Sequence, residues 1–190
     1  MSLIITKDEF LANKEQYFTK ILDGAVFVYP TDTIYGIGCS ALNHNAVKKI
    51  RELKGRGDAP FSVIAPSLGW IEENLDVTSA AREWLAKLPG PYTLVMNMKQ
   101  KCVADSVTVG KETLGVRIPN HWVSAVIAEL GIPLVTTSVN KSGAAFMTSS
   151  DDVDPDLKAA VDFIIDEGQK TAAPSTLIFL DAESVSIKRR

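Results

Sequence analysis

The chain has 190 residues and a formal net charge of -3, from 20 basic and 23 acidic side chains; 46% of residues are hydrophobic and 23% charged. Length and composition predict a soluble chain folding as a single domain over 1–190. They exclude a membrane span of ~20 apolar residues, a disulfide framework (only Cys39 and Cys102 are present) and a surface that coats nucleic acid throughout. No basic region followed by an apolar stretch opens the chain, so a cytoplasmic location is expected.

In chain order, Thr6-Lys7-Asp8-Glu9 has capping-box spacing. Apolar positions from Phe10 to Leu22 then fall on one face of a helix that Gly24 ends. Ala25 to Tyr29 is wholly apolar and reads as a buried strand; Ile34 to Cys39 is a second extended segment. Val47, Ile50 and Leu53 predict a helix from about Asn45. Phe61 to Ala65 is a strand, and Ala81 to Leu88 a helix closed by Pro89-Gly90-Pro91. Strands are expected at Thr93 to Met98 and Gly115 to Ile118, a helix from Trp122 to Leu130, and an extended Pro133 to Thr137. Leu157 to Val161 is a short helix, and strands follow at Phe163 to Asp166, Thr176 to Leu180 and Val185 to Lys188. Strands that follow one another directly point to an α/β fold of α+β character, an open mixed sheet flanked by helices, rather than a repeating βαβ series.

Three polar clusters interrupt this pattern. Lys48, Lys49, Arg51, Lys54 and Arg56 crowd nine residues. The first three fit a solvated helix face as readily as a site. Lys54-Gly55-Arg56-Gly57 lies past the helix, where glycines allow close approach and Lys and Arg supply charge for phosphate or carboxylate. The second cluster, Thr136 to Gly143, follows a buried strand, a common place for sites in sheet proteins, though its Ser, Asn and Gly content by itself fits a plain turn slightly better. The third, Tyr29-Pro30-Thr31-Asp32-Thr33-Ile34-Tyr35-Gly36, places hydroxyls between two apolar strands. Arg117 sits inside an apolar strand and needs an anionic partner if buried. Gly36-Ile37-Gly38-Cys39-Ser40-Ala41 fits a dinucleotide-binding pattern, but no helix opens inside it. No Walker loop or zinc-spaced ligand set is present.

With Pro89-Gly90-Pro91-Tyr92-Thr93, Val116-Arg117-Ile118-Pro119 and Pro174-Ser175-Thr176, these clusters form an ordered set. Across residues 8 to 190 the chain resembles the YrdC/Sua5 (TsaC) family of threonylcarbamoyl-adenylate synthases. The Lys54-x-Arg56 and Ser138-x-Asn140 pair is that family's hallmark. The resemblance implies a YrdC-like twisted sheet with a concave, positively charged cavity. It implies a nucleotidyltransferase that joins L-threonine, bicarbonate and ATP, the last with Mg2+, into threonylcarbamoyl-AMP and pyrophosphate. The product would pass to t6A transferase proteins acting on position 37 of tRNA, with RNA or tRNA contact as a further expectation. By the same resemblance Lys54 and Arg56 are catalytic. ATP would be held by Lys54, Arg56, Thr113, Ser138, Asn140 and Arg189, and L-threonine by Thr33, Arg117, Thr136 and Ser175. No residue is assigned to a metal or as general base.

The chain departs from the family pattern at Asp32 (usually Glu), at Ala59 (commonly Asn), near Ile64 (often His) and at Phe146-Met147-Thr148 (Ser-Pro-Thr). Pro-Thr-Asp and Pro-Gly-Pro-Tyr-Thr are also similar to the YciO branch. The alternative reading is therefore a YciO-like paralogue that binds RNA without synthesising the adenylate.

Overall fold

The computed structural model describes residues 2–182 and 184–189. In chain order its elements are β1 (Leu3–Thr6), α1 (Lys7–Ala12), α2 (Lys14–Leu22), β2 (Phe27–Tyr29), β3 (Gly36–Gly38), α3 (His44–Leu53), β4 (Ser62–Ile64), α4 (Leu68–Asn74), α5 (Ser79–Leu85), β5 (Tyr92–Asn97), α6 (Asp105–Thr108), β6 (Thr113–Arg117), α7 (Trp122–Leu130), β7 (Leu134–Ser138), α8 (Pro155–Ala160), β8 (Phe163–Asp166), β9 (Thr176–Phe179) and β10 (Ser186–Lys188). The strands make one open sheet in the order β1-β8-β2-β3-β7-β4-β6-β5-β9-β10. Pairs β1–β8, β2–β8, β4–β6 and β5–β9 are parallel and the other neighbours antiparallel. This is the mixed α/β sheet flanked by helices that the pattern implied.

The capping box forms: the Thr6 hydroxyl accepts from the Glu9 amide at 3.2 Å, and the Glu9 carboxylate accepts from the Thr6 amide at 2.7 Å. The single helix expected beyond it is two, because the backbone leaves helical geometry at Asn13 (φ -119, ψ 28), which ends α1 and precedes α2. Asn43 rather than Asn45 marks the start of α3, its side chain accepting from the Ala46 amide. Strands β1 and helices α4 and α6 had no counterpart in the sequence reading. No described helix is long and apolar enough to cross a membrane.

The two faces of the sheet are covered unequally, and this inequality makes the site. One face packs Val28, Ile37, Val63, Leu94, Val116, Val135 and Ile164 against α3, α4, α5, α6 and α8, through side chains such as Ile50, Ile71, Leu85, Val107 and Leu157. The opposite face is covered by α1, α2 and α7 over part of its width. There Phe10, Tyr17, Ile21, Val123 and Ile127 meet Phe27, Tyr29, Phe163, Ile165, Ile64 and Leu134. Phe27 and Phe163 stack with centroids 4.8 Å apart. Fully burying each such ring stabilises the fold by roughly 2–3 kcal/mol. The remainder of that face, over β3, β7, β4, β6 and β5, carries small hydroxylated side chains and lies open.

Candidate functional site

A cavity of about 300 Å³ sits on this uncovered stretch, lined by Gly36, Ser62, Thr93, Arg117, Thr136 and Ser138 from the sheet. Thr31, Ile34 and Tyr35 from the β2–β3 connection, Phe146, and Pro174-Ser175 before β9 complete it. Strand register explains the gathering. Ser62 pairs with Thr136 on one side and Gly115 on the other, and Gly36 pairs with Ser138. These side chains therefore share a face. Gly115 leaves a dip in the floor: a Cβ there would lie 2.5 Å from the Ser62 hydroxyl oxygen. Gly38 lets β3 cross tightly over β7, since a Cβ would lie 2.1 Å from the Val135 carbonyl oxygen.

Arg117, at the end of β6, is 5% exposed. One terminal nitrogen donates to the Asp32 carboxylate at 2.5 Å, and the other donates to the Thr33 hydroxyl at 3.3 Å. The second Asp32 oxygen accepts from the Asn120 amide at 2.9 Å. Burial lowers the pKa of the guanidinium, opposed by the Asp32 charge. Its Nε is buried without a hydrogen-bond partner among the described residues. A guanidinium has five N–H donors, so this one can bond more oxygen than the protein provides. Hydroxyls surround it. Thr31 donates to the Ile34 carbonyl at 2.6 Å and accepts from the Thr33 amide at 3.1 Å. Thr93 and Ser175 share a hydrogen bond of 2.8 Å, and the buried Tyr29 phenol, whose pKa burial raises, donates to the Val135 carbonyl at 3.1 Å.

The Lys54 cluster abuts the Ser138 end. Lys54 follows α3 and is 2% exposed. Its ammonium donates to the carbonyls of Ser138 at 2.5 Å and Asn140 at 2.7 Å, and to the Asn140 side-chain oxygen at 3.1 Å. The Ser138 hydroxyl donates to the same Asn140 oxygen at 2.6 Å. The Ser142 amide donates to the Lys54 carbonyl at 2.8 Å. The two hallmark segments, 84 residues apart in the chain between Lys54 and Ser138, are thus laced together. Burial, with the Arg56 charge beside it, pulls the Lys54 pKa down to about 8.

Arg56 is turned to its own loop, donating to the carbonyls of Ala59 at 3.1 Å and Pro60 at 2.8 Å and lying 4.9 Å from the Phe61 ring centre. Arg51, which could have been a solvated helix residue, is a structural hub instead. It donates to Gly57, Ala59 and Ser106 carbonyls and lies 4.6 Å from the same ring. Sequence reasoning missed this use; the only signal was the density of cations around it.

The structure therefore brings Arg117, Thr136, Ser138 and Ser175 onto the cavity, with Thr33 bonded to Arg117 beneath it and Lys54 and Asn140 bonded behind Ser138. Thr113 lies on the same face of β6 as Arg117, four residues away and outside the cavity lining. Arg189 is exposed just past β10, next to the strand pair β9–β10, and also outside that lining.

A second missed group anchors the wall. Glu167, following β8, accepts from the Trp122 indole and from the His121 ring, each at 2.8 Å, and from Lys170. Burial raises the Glu167 pKa, but these three donors outweigh it and bring the carboxyl down to about 2. The Tyr35 hydroxyl donates to the Gly168 carbonyl at 2.7 Å, and burial pushes its pKa up to about 12. The segment leading to Pro174-Ser175 is tied at its start to α7 and to the cavity wall.

A family model described as telomere recombination, that of the Sua5/YciO/YrdC domain, matches residues 19–190. A threonylcarbamoyl-AMP synthase of Bacillus subtilis (strain 168) is 33% identical over 175 residues, covering 88% of this chain and 50% of that protein. Among solved structures, Pyrococcus abyssi Sua5 complexed with L-threonine superposes with a TM-score of 0.84 at 32% identity, over 98% of this chain and 56% of that one. Escherichia coli YciO superposes with a TM-score of 0.86 at 26% identity, over 100% of this chain and 96% of that one. The chain spans about half the length of the Bacillus and Pyrococcus proteins and nearly all of YciO. A model match across most of the chain, a fold shared with both Sua5 and YciO, and the Lys54 and Ser138 segments bonded together beside one cavity place this chain in the Sua5/YciO/YrdC family.

Proposed function

We propose that the chain, acting as one unit, synthesises L-threonylcarbamoyl-AMP from L-threonine, bicarbonate and ATP for t6A modification of tRNA. The observation that carries this reading is Arg117: a buried guanidinium with donors to spare, on the floor of a hydroxyl-lined cavity. That is suited to the carboxylate of a small hydroxy amino acid. The resemblance in fold to a Sua5 complexed with L-threonine supports it.

Threonine would place its carboxylate on Arg117, with Thr33, Thr136 and Ser175 around it. Its amine takes up bicarbonate as a carbamate, with loss of water. A carbamate oxygen then attacks the α-phosphorus of ATP, and the bond to the bridging oxygen of pyrophosphate breaks. Two anions have to be brought together, so charge compensation and alignment are the tasks. Lys54 and Arg56, with Ser138 and Asn140, would serve the triphosphate and the developing charge. Thr113 and Arg189 would hold the rest of the nucleotide. Arg56 would first exchange the Ala59 and Pro60 carbonyls for phosphate oxygens, a favourable trade because bonds to an anion are stronger than bonds to a neutral carbonyl. Mg2+ would arrive as the counter-ion of the triphosphate. Among the described residues no group of three or more His, Cys, Asp or Glu side chains is placed to hold a metal. The reaction belongs in the cytoplasm beside the transferases that use its product.

The test is pyrophosphate release from ATP by the purified chain, expected only when L-threonine and bicarbonate are both present. Release that ignores threonine would sink the reading. A second reading is favoured by one residue: Asp32 on Arg117 matches the Pro-Thr-Asp of the YciO branch, and YciO covers the whole chain. A YciO-like RNA-binding module would give salt-dependent RNA affinity and no threonine-dependent release in the same assay.

A further inference from the structure

We propose that Asp32 is the positioning residue of Arg117: it holds one arm of the guanidinium permanently, and so fixes the orientation in which the remaining donors meet the substrate carboxylate. The inference rests on the reading of Arg117 as the carboxylate partner of the amino acid.

The geometry distinguishes a fixed support from a placeholder that substrate would displace. A placeholder would be held by the guanidinium alone. Asp32 is held from two directions. One oxygen takes the Arg117 N–H at 2.5 Å, and the other takes the Asn120 backbone N–H at 2.9 Å. Asn120 lies in the short connection from β6 to α7, so Asp32 ties the β2–β3 loop to that connection whether or not Arg117 moves. The pair is deeply buried, with side chains 5% and 10% exposed. Breaking it would leave an uncompensated charge in the interior, a costly step. Arg117 can bind a second carboxylate without giving up the first, because each terminal nitrogen carries a second N–H beyond those that meet Asp32 and Thr33, and its bond to Thr33 is long at 3.3 Å.

The test is calorimetric titration of the full chain with L-threonine, and separately with α,β-methylene-ATP. Asp32→Asn, nearly isosteric, is expected to weaken L-threonine about tenfold or more, the loss typical of one charge-assisted bond. The ATP analogue should stay within about twofold, since it does not contact this pair. Asp32→Glu, which retains the charge, should recover to within about threefold of the parent protein. Asp32→Ser serves if the Asn variant does not fold, with the same expectation. Unchanged or tighter threonine binding in the Asn or Ser variant overturns the inference while leaving the function standing. Equal weakening of both ligands alongside a lower Tm also overturns it, by making Asp32 merely structural. A parent protein that binds no L-threonine overturns the functional reading itself, and the inference with it.

Discussion

Arg117 and Lys54 are both nearly inaccessible, at 5% and 2% exposed, yet they are stabilised by different kinds of partner. Arg117 faces a carboxylate, so its charge is balanced on the spot and what it has left over is hydrogen-bonding capacity. Lys54 has spent its three N–H groups on neutral oxygens, and Arg51 and Arg56 beside it donate to carbonyls. What that cluster has left over is charge. Arg56 lowers the pKa of Lys54, and Arg51 lowers that of Arg56, each after the larger effect of burial. A neutralised guanidinium with spare donors suits a single carboxylate held by geometry. Crowded cations on carbonyls suit a polyanion, whose arrival relieves their mutual repulsion. Under the proposed function, the Arg117 side of the cavity would take the amino acid and the adjoining Lys54 cluster the triphosphate.

The comparison breaks most visibly at Arg117. Arg117→Ala would strand the Asp32 carboxylate in the interior, costing about 3–5 kcal/mol of stability. It should also reduce kcat/KM for threonine by about 10²–10³, the scale of one lost charge-stabilising group. Arg117→Lys keeps the charge but loses the planar fork. It should recover most of the Tm in thermal melts while threonine use stays low. Recovery of both would mean that charge alone, not donor geometry, defines this edge.

Lys54 comes next. Lys54→Ala should lower kcat/KM for ATP by about 10² and leave threonine binding by calorimetry nearly unchanged. The pH dependence sharpens the contrast, because Lys54 loses its proton near pH 8 whereas Arg117 stays charged. In the parent protein kcat/KM for ATP should fall as pH rises above about 8, and Lys54→Arg should flatten that fall. Stability moves the other way. The unfolded chain binds the Lys54 proton up to about 10.4 and the folded chain only to about 8. Between those values the unfolded state holds more protons, so rising pH favours the fold as far as this group is concerned. Denaturant melts showing an activity loss and a stability loss together above pH 8 would remove Lys54 as the cause.

Much of this was legible in the residues, and the parts that were not share a physical reason. Ala25 to Tyr29 and Phe61 to Ala65 read as strands because a strand buried on both faces is apolar without interruption. Lys54-Gly55-Arg56 stood out as cations flanked by glycines past a helix, whereas Ser138 to Gly143 could have been a plain turn and stood out only through the ordered set of segments that the family shares. Strand β1 was invisible: it is a four-residue edge strand with Leu3 and Ile4 exposed at 52% and 43%, running straight into the Thr6 cap. Helix α6, of four residues, is too short to show a helical period, and α4 buries only Ile71 and Asn74, which give no apolar stripe. Most telling are the long-range bonds. Glu167 reaches His121 and Trp122 across 46 and 45 residues, and Asp32 reaches Arg117 across 85. Arg117 in its apolar strand signalled the need for an anion, but nothing in the residues named Asp32 or Glu167 as the partner, and only the fold makes these contacts.

Arg51 offers the finest test of the comparison. It holds Gly57, Ala59 and Ser106 by their carbonyls, and it shares the Ala59 oxygen and the Phe61 ring with Arg56. If Arg56 leaves that loop for the triphosphate, Arg51 is the group that keeps the loop in place. Arg51→Gln retains an amide donor but neither the charge nor the fork. It should raise KM for ATP about fivefold with kcat little changed, the effect of weakening a support by about 1 kcal/mol. Threonine affinity should not respond, because no Arg51 contact reaches the Asp32–Arg117 pair. Arg51→Gln with Arg56→Gln should then cost less than the product of the single losses, since the loop that Arg51 supports has already lost the residue it was presenting. Full multiplicativity would mean that the two arginines act independently, and that the cationic edge is a sum of charges rather than one organised loop.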